Sequence, residues 1–199
     1  MQIDNYKLII PLLNFENKGD FYMLYVFKRK KDQEDKDNHQ SVRTIKTYCV
    51  ESIESLEKKY DEVISLCEMF KARAYIHVQK QNHRDVGLSM MVELAQRLKD
   101  GINNQSHLFE SVVSQLKVYE KRWVVDIDSQ DIEQKSEIRS FIDKLKPIEE
   151  KTKLISIIPT HQGVHLITKP FDLLEFRKKY SKIDIQKKNP TLLYYPSSL

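Results

Sequence analysis

Glycine is scarce in this chain, four in 199 residues, and no two of them share a loop. A phosphate cradle of the Walker or dinucleotide type needs several glycines in one turn, because only bare backbone can bend that closely round a phosphate. ATPase and nicotinamide-dependent chemistry are therefore set aside. Cysteine is scarcer still. Cys49 and Cys67 lie in apolar surroundings without metal-ligand spacing, and both read as reduced core thiols of a cytoplasmic protein. No run of about 18 apolar residues is present to span a membrane as a helix. Residues Met1 to Asn5 lack the basic-then-apolar order of a secretory signal. There are no internal repeats. With 40% hydrophobic residues the chain can bury a core, and its net charge of +4 is compatible with a nucleic-acid partner without requiring one.

What is there is an alternation of strand-like and helix-like segments. Lys7 to Leu13 is apolar and reads as a first strand or its approach. Asp20 to Arg29 alternates aromatic and aliphatic residues and reads as a strand, running into an exposed polar loop over Lys30 to Asn38. Val42 to Val50 is a second clear strand. Ser52 starts a helix carrying Leu56, Tyr60, Val63, Ile64 and Cys67 at helical spacing. A strand over Lys71 to Gln79, a helix over Val86 to Lys99 stopped by Gly101, and a helical stretch over 103–119 follow. Ile132 to Leu145 and Phe171 to Tyr180 read as helices, and Ile183 to Tyr195 as an extended, paired tail.

The chemistry concentrates late in the chain. Arg122-Trp123-Val124-Val125-Asp126-Ile127-Asp128 reads as a buried strand presenting Asp126 and Asp128, two positions apart, on one face. Two carboxylates so placed repel unless a positive group, most simply a hard divalent cation, lies between them. The plainer alternative is that Asp128 and Ser129 cap the next helix. A second apolar run, Leu154 to Thr160, breaks at His161-Gln162 and resumes as Gly163-Val164-His165-Leu166-Ile167-Thr168. Glycine there permits a close approach of backbone or ligand. A lone histidine in an apolar strand is more often a satisfied core residue, but beside two carboxylates it can donate to a phosphate oxygen.

In order and spacing, Val124-Val125-Asp126-Ile127-Asp128, then Thr160-His161-Gln162-Gly163-Val164-His165, then Ile183-Asp184 resembles the three-motif signature of archaeo-eukaryotic primases and primase-polymerases, over roughly residues 70 to 196. Asp172, after Pro170-Phe171, is the fallback for the third acid. The resemblance implies an α+β fold with an RRM-like antiparallel or mixed sheet and packed helices. It also implies an N-terminal αβ unit over 1–70, integrated with a primase-like core over 71–199. It implies that Asp126, Asp128 and Asp184 are catalytic and bind Mg²⁺ or Mn²⁺, and that His165, with Gly163, Thr160 and Lys169, holds a nucleoside triphosphate. Arg29, Lys30, Lys31, Arg43, Arg73, Lys187 and Lys188 become candidate contacts to a single-stranded DNA or RNA template, with Tyr75 a stacking platform. Tyr22, Tyr25 and Phe27 read as packing residues. The segment after the third motif departs from the family, with Pro190-Thr191-Leu192 where a basic residue is often found. The expected protein is a minimal primase or polymerase of viral or mobile-element type, working with a helicase or other replication proteins. Two other readings stay open: a non-catalytic single-strand binder on the same sheet, and a metal-dependent nuclease.

Overall fold

The computed structural model describes residues 1–33, 42–118, 120–149 and 151–199, apart from the side chain of Lys31. Among these residues the chain is an α+β protein with six α-helices and two antiparallel sheets. The first half comprises β1 (Ile3–Asp4), α1 (Tyr6–Ile9), β2 (Asp20–Lys28), β3 (Arg43–Val50), α2 (Ile53–Phe70), β4 (Arg73–Ile76), β5 (Gln81–Asn82), α3 (His83–Lys99) and α4 (Leu108–Gln115). The second comprises β6 (Trp123–Asp128), α5 (Lys135–Lys144), β7 (Leu154–Thr160), β8 (Gly163–Thr168), α6 (Leu173–Lys179), β9 (Asp184–Gln186) and β10 (Thr191–Tyr195).

The larger sheet has the order β1-β10-β4-β2-β3, with β5 pairing the start of β2. Apolar residues occupy both faces of β2, which is why its sequence carries no polar alternation. Tyr22, Leu24 and Val26 face a core shared with Leu56, Val63 and Cys67 of α2, which are spaced to lie on one side of that helix. Phe21 and Met23 face Val86, Leu108, Val112 and Val113 of α3 and α4. Ser52 caps α2 by accepting from the Ser55 N–H at 3.0 Å, as its sequence position suggests. Both thiols are free, Cys67 buried and Cys49 partly so. No helix among the described residues is long and apolar enough to cross a membrane.

Residues 7–13 do not form the expected strand. They run from α1 into a 3-10 turn over Ile10–Leu12, with Ile9 and Leu12 buried on one side of the turn. Of the loop expected over 30–38, residues 34–38 lie outside the described ones, and Lys30–Asp32 is a 3-10 turn. Within α3, Gly87 has open space around the position of a Cβ. Gly87→Ala is expected to stabilise the protein by about 0.5–1 kcal/mol by restricting the unfolded chain, read as a higher urea midpoint at unchanged m value.

The smaller sheet positions the site. β6-α5-β7-β8-α6-β9 folds with the spatial order β7-β8-β6-β9, every neighbour antiparallel. This is a split β-α-β arrangement. Trp123, Val125 and Ile127 of β6 point to Ile138 and Ile142 of α5 and Phe176 of α6, so both helices cover one face. On the opposite face Val124, Ile158 and Ile167 join the core of the larger sheet. Buried amides stitch the two sheets together. Gln79 Nε2 donates to the carbonyls of Arg122 (2.7 Å) and Lys187 (2.6 Å), and Asn5 Nδ2 to those of Pro159 (2.9 Å) and Leu192 (3.0 Å). The expected division at residue 70 falls between α2 and β4, whose partners β2 and β10 belong to the same sheet. The split unit spans 123–186.

Candidate active site on the helix-free sheet face

Asp126 occupies the second strand from the edge, between β8 and β9. Its register partners are His165 on one side and Asp184 on the other. Directly opposed residues share a face of the pleat, and Asp128, two positions on, shares it too. The three acids and the imidazole thus project from the face that lacks helices. Asp126 is half-buried, Asp128 and Asp184 are exposed, and His165 is buried. Burial raises the Asp126 pKa, the charges of Asp128 and Asp184 raise it further, and Arg29, reaching from the end of β2, opposes both.

His165 Nε2 lies 3.5 Å from Asp126 Oδ1, long for a hydrogen bond, and Nδ1 lies 2.8 Å from Thr191 Oγ1. Nε2 thus faces the Asp126 carboxylate, while the Thr191 hydroxyl pairs with Nδ1 as donor or acceptor according to the ring's tautomer. Burial, aided by Arg29, depresses the His165 pKa to about 4, so the ring is neutral at physiological pH. His77, beneath α4, is also depressed to about 4 by burial. Both bind protons less readily folded than unfolded. Their contribution to stability is therefore present above about pH 6.5 and falls away as pH drops towards 4.

Each neighbour has an identifiable duty. Gln186 Nε2 donates to Asp184 Oδ2 at 2.7 Å. Asp128 stands at the N-cap position of the following 3-10 turn but accepts no capping bond, so capping is not its task. Asp172 does cap α6, accepting from the N–H groups of Leu174 (3.0 Å) and Glu175 (3.1 Å), whereas Asp184 is the acid paired in register with Asp126. A Cβ on Gly163 would sit 1.9 Å from the Ile127 carbonyl oxygen, so this glycine serves the close approach of β8 to β6. Thr160 closes the β7–β8 hairpin opposite Gly163.

Several expected contacts fall elsewhere. Lys169 follows the far end of β8, about 13 Å from His165 at 3.3 Å per residue. Arg73 is buried in an ion pair with Asp32 at 2.7 Å, its guanidinium over the Tyr195 ring, so it cannot serve as a phosphate contact. Tyr75 is no open stacking platform: it is buried and stacked on Phe27, with centroids 4.8 Å apart. Lys188 Nζ donates to the Ser114 carbonyl at 2.6 Å near the end of α4, and Lys187 lies over the Trp123 ring. Arg29, Lys30 and Arg43 are exposed; the side chain of Lys31 lies outside the described ones.

Thr191 and Gln186 were missed in the sequence. Gln186 stands two residues after Asp184 in an extended segment, a spacing that places both on one face. Thr191 gives no such signal, because it comes from the other sheet. Thr191→Val, nearly isosteric at a fully buried position, leaves Nδ1 of His165 unpaired. A loss of about 1–3 kcal/mol is expected from urea unfolding, with Thr191→Ser near wild type.

Among the described residues, no three carboxylate, imidazole or thiol groups stand gathered into a ready-made metal site. The acids share a face and a charge field but do not already converge on one point. No family model matches this chain, and neither curated proteins nor solved structures give a significant match.

Proposed function

We propose that this chain is a metal-dependent nucleotidyltransferase of the primase–polymerase type, acting on a single-stranded template. The observation that carries the reading is the register of Asp126 between His165 and Asp184. Sequence order supports it, since Asp-x-Asp, Gly-x-His and Asp fall on the first, third and fourth strands of the β-α-β-β-α-β unit.

The donor chemistry suits a hard cation, although the groups would have to draw together to hold one: three carboxylates on one face, the most buried with its pKa raised first by burial and then by the charges of the other two. Asp126, Asp128 and Asp184 would hold Mg²⁺ or Mn²⁺. When bound, such an ion lowers the pKa of a primer 3′-hydroxyl and neutralises the leaving phosphates. His165, neutral and paired with Thr191, would turn its Nε2 side towards a triphosphate oxygen. Arg29 supplies positive charge beside it, and the exposed Lys30 and Arg43 extend that charge along a template backbone. In this reading the protein works in the cytoplasm beside a helicase or other replication proteins.

A second reading, a single-strand binder whose acids are relics, is favoured by the lack of convergence among the described acids. Incubation with primed and unprimed single-stranded templates, labelled nucleotides and Mn²⁺ separates the two. Extension products support the transferase; salt-dependent binding without products leaves the binder.

A further inference from the structure

Helix α3 turns its inner side, through Val86, Met90 and Leu94, onto the core of the larger sheet. Its outer side is apolar as well. Leu88, Met91, Val92 and Leu98 are all more than half exposed, Met91 and Val92 at 69% and 71%. Ile102, just past the helix, is 47% exposed. Within the helix, positions 88, 91, 95 and 98 follow one another at intervals of three, four and three. That is the seam spacing of helix pairs that pack knobs into holes, whereas a helix lying on its own core shows a broader, 3.6-period stripe. Beside the seam runs a groove of about 410 Å³ between α3 and α4, lined by Leu88, Val92, Val112 and Leu116 among others.

We infer that this seam pairs with the same seam of a second copy of the chain, the two α3 helices running antiparallel about a two-fold axis at the level of residues 92 and 93. Three features select that occupant. The seam is self-complementary: antiparallel pairing sets Leu88 against the partner's Leu98 and Met91 over the partner's Ala95, large against small. The flank is self-complementary too, since Asp85, Val92 and Lys99 lie seven residues apart. Antiparallel pairing sets each Asp85 near the partner's Lys99, and parallel pairing would set like charges together. Finally, each of the five apolar side chains leaves on the order of 100 Å² uncovered, so the pair hides on the order of 1,000 Å² in total, the lower limit for a specific interface. The dimer is therefore concentration-dependent. It is independent of the proposed chemistry, because the seam belongs to the larger sheet's helices.

Sedimentation equilibrium of the whole chain, without nucleotide or template, tests this from about 5 to 500 µM. The weight-average mass is expected to rise from 23.7 kDa towards twice that value. Leu88→Glu/Leu98→Glu is expected to hold the mass at the monomer value with an unchanged far-UV spectrum. Met91→Lys serves the same purpose if the double variant misfolds. In a Cys49→Ser background, a mixture of Leu88→Cys and Leu98→Cys proteins should cross-link between unlike copies several-fold faster than either alone. A wild-type mass that stays at the monomer, an assembly unaffected by these substitutions, or faster cross-linking between like copies overturns the proposal.

Discussion

Asp126→Asn is expected to lower nucleotide incorporation by at least about 10³-fold while leaving the protein folded, the scale at which removal of a metal-bearing carboxylate removes the charge that holds the ion. The same substitution should make the metal-free protein more stable at neutral pH. Asp126 is driven towards its neutral form by burial and by Asp128 and Asp184. A raised folded pKa means the ionised form is the disfavoured one in the fold, so its removal helps above the carboxylate range and makes no difference below it. Melting curves in EDTA at pH 7 and pH 3 should show the advantage at the first and not at the second. Adding Mn²⁺ should raise the melting temperature of wild type and not of Asp126→Asn, because only an ion bound to the native state stabilises it. A variant that keeps wild-type synthesis removes Asp126 from the chemistry. A wild type that binds template, makes no product and gains no stability from Mn²⁺ leaves the relic reading in possession.

Gly163→Ala should cost about 3 kcal/mol or more. The added carbon would meet the Ile127 carbonyl oxygen at 1.9 Å, where ordinary contacts lie near 3.5 Å, and the obstacle is strand backbone that no rotamer change can clear. At position 163 the backbone also has φ +156, at the edge of the region that side chains avoid. Relief requires β8 to move off β6, which displaces His165 from both Asp126 and Thr191. For a chain of this size the loss corresponds to a fall in melting temperature of about 6–12 °C. A variant within 1 kcal/mol of wild type by urea unfolding would disprove the close approach of the two strands.

The strands of the split unit were legible because their inward residues are continuous apolar runs broken at identifiable points. Asp126-Ile127-Asp128 ends one run and Gly163 starts another. Strand alternation likewise placed both aspartates on one face, and the pairing of β6 with β8 and β9 brought His165 and Asp184 alongside. Three things were not legible. In residues 7–13 the apolar run looked extended, yet Tyr6, Ile9 and Leu12 are spaced by three, a helical signal too short to outweigh the composition. The tail over 183–195 read as one segment, whereas β9 and β10 belong to different sheets, with Pro190 just before the second. The fates of Arg73 and Tyr75 depended on partners distant in sequence, Asp32 and Phe27, that no local pattern announces. A basic or aromatic residue on a strand says nothing by itself about whether its other side is water.

The route of the chain from β9 to β10 has a practical consequence. Gln186 ends the strand that carries Asp184, and Thr191 opens a strand lying between β1 and β4 in the opposite sheet. A fragment cut after position 186 keeps every acid of the candidate site but removes the hydroxyl that steadies the imidazole, and it removes the strand that joins β1 to the rest of the larger sheet. The strand that opens at Thr191 thus serves two sheets at once: it pairs within the larger one and, through a single hydroxyl, fixes the histidine of the smaller one.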